Sequence, residues 1–297
     1  MNNAYYIKEP ALISFSGGRT SAFMLNKILQ AHKGDFPNYI HVVFANTGKE
    51  MEATLDFVKD CQEHWSVDIK WIELDVDYSL EKEKRLFYKF VDYKSASRKG
   101  EPFTKLIDHW NKDRKPRAKN LQYKKDGTWI LPNPVARFCT DYLKIRALNW
   151  YAKSIDLQTY QTVLGLRYDE PRRVHRRKNS KYETKKKTSL MPMYDAKDTI
   201  HDVQNFWQKS NFDLGLPIIN GETPHGNCDL CFLKSHNKIV QLVKEKPERA
   251  EWWSQTEKKA KNVFRRDRPS YTEYIETVDI QPQLPFDDDG MDCFCHD

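Results

Sequence analysis

The stretch that decides the fold is Ala11-Leu12-Ile13-Ser14-Phe15-Ser16-Gly17-Gly18-Arg19-Thr20-Ser21. Ala11 to Phe15 is a short apolar run and predicts a buried strand. A Gly-Gly turn follows, and then Ala22, Leu25, Ile28 and Leu29 recur at helical spacing. Strand, glycine turn and helix present backbone N–H groups to an anion. The first N–H groups of a helix lack internal partners, and the helix dipole favours negative charge there. Glycines let the backbone approach with no Cβ in the way. Candidate ligands of a nucleotide phosphate are therefore Ser14, Ser16, Gly17, Gly18, Thr20 and Ser21, with Arg19 adding charge. The alternative is a plain turn with a Ser/Thr helix cap.

Working outward, Ile40 to Phe44 predicts a second strand that ends in Asn46-Thr47-Gly48. Polar turns at the carboxyl ends of parallel strands are where open α/β sheets place ligand contacts. Met51 to Trp65 predicts an amphipathic helix with Cys61 on its buried line, and Ile69 to Leu74 a third strand. Alternating strands and helices predict an α/β fold, a parallel twisted sheet with helices on both faces. From Ser79 to Asn133 the chain is lysine-rich and weakly periodic, which suggests an insertion, partly helical, over the mouth of the site. A helix is expected from Thr140 to about Lys153, and a strand from Thr159 to Leu166 that leads into Gly165-Leu166-Arg167.

The most basic stretch follows, Arg172 to Lys187. It reads either as a solvated loop or as a contact with phosphates of a substrate or nucleic acid. Tyr168, His175 and Tyr182 interleave it, which suits stacking on bases. Ser189 to Tyr194 reads as a turn and Asp198 to Trp207 as a capped helix. Residues 1–234 are expected to form the α/β domain. Residues 235–297 are expected to form a helical and irregular extension, with a polar tail from about Arg265.

Hydrophobic residues make up 39% and charged residues 31%, enough for a sizeable core beneath a charged surface. No apolar run reaches the roughly twenty residues of a membrane span. The first residues lack the basic-then-apolar order of a signal peptide, so a cytoplasmic protein is expected. The net charge of +7 permits a polyanionic partner without requiring one. Six cysteines in such a chain favour metal or redox chemistry over structural disulfides. Cys139, the pair Cys228-x-x-Cys231 and the terminal pair Cys293-x-Cys295 are the candidates. Four thiolates suit an iron–sulfur cluster or a tetrahedral zinc, and a metal-free dithiol is the third reading. Cys293 and Cys295 read as ligand, as a nucleophile carrying persulfide sulfur, or as exposed thiols on a tail.

Ser16-Gly17-Gly18-Arg19-Thr20-Ser21 resembles the PP-loop of the ATP pyrophosphatase superfamily, Ser-Gly-Gly-x-[Asp/Thr]-Ser. It does not match the Walker loop, since no Gly-Lys-Ser/Thr follows. From residue 11 to about 234 the chain resembles the phosphoadenosine phosphosulfate (PAPS) reductase family. Asn46-Thr47-Gly48 with Thr54 resembles its Asp-Thr-Gly…Glu-Thr segment, with Asn46 in place of the acid. Cys139…Lys144…Leu148 resembles its cysteine-bearing helix start, where iron–sulfur members carry an adjacent pair. Gly165-Leu166-Arg167 with Arg172 resembles its Gly-x-Arg…Arg loop, and Gly226-x-Cys228-x-x-Cys231 its Gly-Cys-x-x-Cys. The terminal Asp292-Cys293-Phe294-Cys295-His296 shares residue types, but not spacing, with the reductase nucleophile motif. The combination is similar to phage and bacterial PAPS-reductase-like proteins and to sulfur-transfer enzymes of DNA phosphorothioation.

The resemblance implies an enzyme of sulfur chemistry that binds ATP with Mg²⁺, or an adenylylated sulfate (PAPS or its 3′-dephospho form, APS). Adenylation of an acceptor for sulfur transfer, with sulfur from a donor protein, is the first activity it implies. Sulfonucleotide reduction is the second, and a non-catalytic nucleotide- or nucleic-acid-binding module the third. Arg19, Lys144, Arg167 and Arg172 are the implied phosphate ligands, and Cys293, Cys295 and Arg19 the implied catalytic groups. Cys139, Cys228 and Cys231 are the implied ligands of a [4Fe–4S] cluster, or alternatively of Zn²⁺, and the fourth ligand expected is Cys293 or Cys295, with Cys295 preferred.

Overall fold

The computed structural model describes residues 3–113, 127–219 and 223–278. Within them the sheet is built from β1 (Ala11–Phe15), β2 (Ile40–Asn46), β3 (Ile69–Val76), β4 (Leu86–Val91), β5 (Tyr160–Val163) and β6 (Lys187–Leu190). The helices are α1 (Arg19–Ala31), α2 (Glu52–Trp65), α3 (Glu101–Lys112), α4 (Arg146–Ser154), α5 (Pro171–Lys178), α6 (Ile200–Gln208), α7 (His236–Glu245), α8 (Glu251–Ala260) and α9 (Tyr271–Val278). A turn at Phe138–Thr140 and a π-helical stretch at Asp141–Ile145 lead directly into α4. Strand order is β4-β3-β2-β1-β5-β6, and every pair is parallel except β3 with β4.

The central strands are apolar on both faces because both faces are covered, as in parallel sheets generally. Leu12, Val43, Ile72 and Leu74 pack against α3, α4 and the C-terminal helices. Ile13, Phe15, Val42, Phe44 and Trp71 pack on the opposite face against α1, α2 and α6. This is the α/β sheet with two helical layers that the sequence predicts. Cys61 is fully buried within α2, and burial pushes its thiol far above the ordinary range, so it is inert packing. Thr199 and Asp202 form a capping box at the start of α6.

Four expectations are corrected. The 79–133 segment is not simply an excursion over the site. It supplies the antiparallel edge strand β4 and the core helix α3, whose Phe103, Leu106 and Ile107 are buried. Ser189–Tyr194 is not just a turn, because Lys187–Leu190 adds the parallel edge strand β6. The stretch after Arg172 is helical to Lys178 rather than a loop. The tail after Arg265 contains α9, whose Tyr271 and Tyr274 are buried.

The described part of the extension, residues 235–278, packs into the core. Trp253 is fully buried against Phe103, Phe232, Phe264 and Tyr271, with ring centroids 5.0–6.4 Å apart. Such aromatic pairs contribute about 0.5–1.5 kcal/mol each beyond area burial. Glu257 of α8 fastens the same region by accepting the Phe264 and Tyr271 N–H groups at 3.0 and 2.8 Å.

Candidate functional site

β1 lies at the centre of the sheet, with β2 on one side and β5 on the other. The chain therefore leaves β1 in one direction for β2 and β3, and later returns to the other side. Where strand order reverses, the loops at the carboxyl edge diverge and leave a crevice. The turn after β1 sits there. Gly17 adopts φ +77°, and a Cβ on it would lie 2.8 Å from Thr54 Cγ2 and 2.9 Å from Val58 Cγ2. Glycine is thus required at 17 by backbone handedness and by the tight seat on α2. The Ser16 and Ser21 hydroxyls meet at 2.8 Å, and Ser21 Oγ donates to the Gly18 carbonyl at 3.0 Å. These bonds close the turn from within.

Gly18 is the N-cap of α1, with φ −97° and ψ 162°, ordinary extended backbone. No side chain caps α1, and its first turn carries no acid. The N–H groups of Arg19, Thr20 and Ser21 make no hydrogen bond among the described residues. A buried helix start with open donors and no acid in its first turn has the chemistry to accept an anion.

Arg19 is differently employed from the expectation. Its guanidinium is almost fully buried and forks onto the Asp213 carboxylate, with Nε to Oδ1 at 2.6 Å. It also donates to the Leu216 carbonyl at 2.7 Å and to Thr223 Oγ1 at 3.1 Å. Burial alone would push the Asp213 carboxyl up, but the hydrogen bonds and charge of Arg19 outweigh it and hold the group below its ordinary range. Arg19 in this arrangement is a latch between the turn and the 213–223 segment, and the Trp207 indole fastens its carbonyl at 2.9 Å.

The loop after β5 does reach the turn. Arg167 Nη1 donates to Thr20 Oγ1 at 3.3 Å, while Asp169 and Glu170 hold the rest of the side chain. Gly165 is buried in a tight turn closed by Leu166 N–H onto the Leu164 carbonyl at 2.9 Å. Arg172 is exposed at the start of α5. Ser14 is half-buried in β1 opposite Val43. Lys144 is half-buried in the π-helical stretch, which packs on β2, β3 and α3.

The loop after β2 is rigid. Asn46 is fully buried and donates to Glu73 Oε1 at 2.6 Å and to the Ser97 carbonyl at 2.8 Å. Ser97 in turn donates its N–H and hydroxyl to Glu73. An acid at 46 would set two carboxylates against each other in a buried pocket, which is a physical reason for Asn there. Thr47 and Gly48 follow. The Thr47 N–H and hydroxyl both donate to Glu50, at 2.9 Å and 2.8–2.9 Å, and Gly48 accepts from Gly100 N–H at 2.7 Å.

Residues 10–214 match the phosphoadenosine phosphosulfate reductase domain. The chain belongs to the phosphoadenosine phosphosulfate reductase family. It is 27% identical over 237 residues to an uncharacterized nin region protein of Escherichia phage lambda, covering 79% of this chain and 69% of the relative. It is 38% identical over 104 residues to an uncharacterized protein of Methanocaldococcus jannaschii, covering 34% of this chain and 20% of that one.

The Cys-x-x-Cys pair lies beyond the matched reductase domain. Cys228 and Cys231 are buried in the cluster beneath the C-terminal helices, and Cys139 packs against that same cluster. Cys228 Sγ lies 3.4 Å from Thr47 Oγ1, so the pair borders the loop after β2. Among the described residues no three His, Cys, Asp or Glu side chains are grouped as a metal ion requires. The described residues thus do not by themselves assemble the expected cluster site, and Cys293 and Cys295 lie outside them. Among the described residues no helix is long and apolar enough to cross a membrane.

Sequence reasoning missed four residues around this pair. Lys49, almost fully buried, lies over the Trp252 and Trp253 rings at 5.0 and 6.0 Å. Burial pulls its ammonium below the ordinary lysine range, with Asp229 and then Cys228 opposing. Asp229 is clamped by Arg249, and its N–H donates to the Lys49 carbonyl at 2.6 Å. Glu50 completes a Thr-x-x-Glu pattern with Thr47, a local signal present in the sequence. The partners of Lys49, Asp229 and Arg249 come from distant elements and left no such signal.

Proposed function

We propose that this protein binds an adenine nucleotide with its phosphates on the Ser16–Ser21 turn and uses it in sulfur chemistry. The observation that carries the reading is the uncapped, acid-free start of α1 at the reversal point of the sheet. Family membership supports the chemistry. In the reaction proposed, an acceptor oxygen attacks the α-phosphorus of ATP. The bond to the bridging oxygen breaks, and pyrophosphate leaves with its electron pair. Hydrosulfide delivered by a donor protein then attacks the carbon that bears the adenylated oxygen, the C–S bond forms as the C–O bond breaks, and AMP departs with that oxygen and its electron pair.

The α1 N–H groups would hold phosphate oxygens, and Arg167, beside Thr20, would supply the nearest charge. Lys144 is the further cation proposed. Mg²⁺, when bound, would neutralise the leaving pyrophosphate. The second reading, reduction of PAPS or APS, is favoured by the family match itself.

Pyrophosphate release from ATP, measured with and without RNA or DNA, supports the first reading. Sulfite release from PAPS or APS with a thiol donor supports the second, and absence of both leaves a binding module. An iron–sulfur cluster on Cys139, Cys228, Cys231 and Cys295 is a separate proposal. About four iron atoms per chain in anaerobic preparations support it, and a metal-free product replaces it with a dithiol.

A further inference from the structure

The basic run that begins at Arg172 divides into two sets. Arg173 pairs with Glu170, and Arg177 is turned inward, donating to Ser189 at 2.7 Å beside Glu183. These two arginines knit α5 to the loop before it and to β6. Arg172, Arg176 and Lys178 are exposed, and the first two lie four residues apart on one helix face. Tyr168, just before this helix, is 46% exposed, with its ring 5.5 Å from that of Tyr194. The Lys178 ammonium lies over Tyr194 at 5.6 Å.

Of the described acids beside this helix, Asp169 is engaged by Arg167, and Glu170 by Arg173 and Arg167. Tyr168 follows Arg167, the residue that touches Thr20 of the phosphate turn. Lys185 and Lys186 are elsewhere. They precede β6, where the Lys186 carbonyl bonds Tyr160 at the amino end of β5, the sheet edge opposite that turn.

We propose that this surface binds single-stranded nucleic acid, with phosphates on Arg172, Arg176 and Lys178 and a base stacked on Tyr168. The strand would then be the acceptor presented to the nucleotide site, a step that rests on the reading of Ser16–Ser21 given above. Exposed aromatic rings beside closely spaced cations bind single strands through stacking and charge together, whereas a duplex hides its base faces.

Fluorescence anisotropy with a labelled single strand of about twelve nucleotides tests this without ATP. Three phosphate contacts predict a log–log salt slope of about −2, close to fifteenfold weaker binding between about 50 and about 200 mM salt. Tyr168→Ala should weaken binding about fivefold or more while Tyr168→Phe retains it. Arg172→Gln with Arg176→Gln should flatten the slope, and Lys185→Gln with Lys186→Gln should leave it unchanged. No strand binding, equal binding of duplex with Tyr168→Ala silent, or dependence on Lys185 and Lys186 alone overturns the proposal. ATP titration of the same protein scores the nucleotide reading separately. Strand binding lost with ATP binding intact refutes this inference alone.

Discussion

Replacing Gly18 by aspartate separates the fold from the proposed anion site. Gly18 sits at φ −97° and ψ 162°, the extended geometry of an N-cap, so aspartate fits its backbone without strain. Its carboxylate would accept from the open N–H groups of the first α1 turn and complement the helix dipole, a gain of about 0.5–1 kcal/mol. The same carboxylate would occupy the place proposed for a nucleotide phosphate. Two unit charges about 4 Å apart at an effective dielectric constant near 20 repel by about 4 kcal/mol, roughly a thousandfold in affinity. The expected outcome is an equal or slightly higher Tm together with near-complete loss of ATP binding, read by calorimetric titration and by loss of the ATP-induced rise in Tm. Gly18→Ser, a cap without charge, should lose far less. If folded Gly18→Asp binds ATP as the wild type does, the phosphates do not sit on this turn.

Gly17→Ala should cost about 2–4 kcal/mol, from the left-handed backbone and from the contacts with Thr54 and Val58. A thermal melt checks it, and an undisturbed Tm would contradict the tight seat. Arg19→Met should cost about 1–3 kcal/mol yet change ATP affinity by less than about tenfold, because its donors serve Asp213, Leu216 and Thr223. A hundredfold loss in a folded variant would return Arg19 to the phosphates. Since the Asp213 carboxyl lies below its ordinary range, the latch contributes fully above about pH 4 and is lost as pH falls further. Acid unfolding of Arg19→Met should lack that component. Glu257→Gln turns one acceptor into a donor facing an N–H of Phe264 or Tyr271, and should cost about 1–3 kcal/mol by urea unfolding.

The central strands and the glycine turn after β1 were legible because each is a local pattern. Ala11 to Phe15 is continuously apolar, the glycines follow at once, and the helical spacing begins within four residues. The edges were harder to read. β6 is four residues long and starts at Lys187, so its pairing with β5 outweighs its composition. In β4, Leu86, Tyr88 and Phe90 share one face while Phe87 and Val91 lie on the other, so apolar residues occupy both faces and the alternation is blurred. α3 did carry a signal, Phe103, Leu106, Ile107 and Trp110 at helical spacing, hidden within a lysine-rich surround. For Arg19, sequence reasoning supplied the charge but not its partner, because Asp213 lies 194 positions away and meets it only in the fold. Burial of Tyr271 and Tyr274 likewise depends on the surface that α7 and α8 supply, which the local sequence does not reveal.

The most direct test follows the backbone amide resonances of Gly17 to Ser21 while ATP, and separately adenosine, is titrated into the protein. The account predicts large shifts of the Arg19, Thr20 and Ser21 amides with ATP and small ones with adenosine, because the phosphates alone meet those donors. Amides that stay fixed while ATP binds elsewhere, for example against the loop after β2, would contradict it.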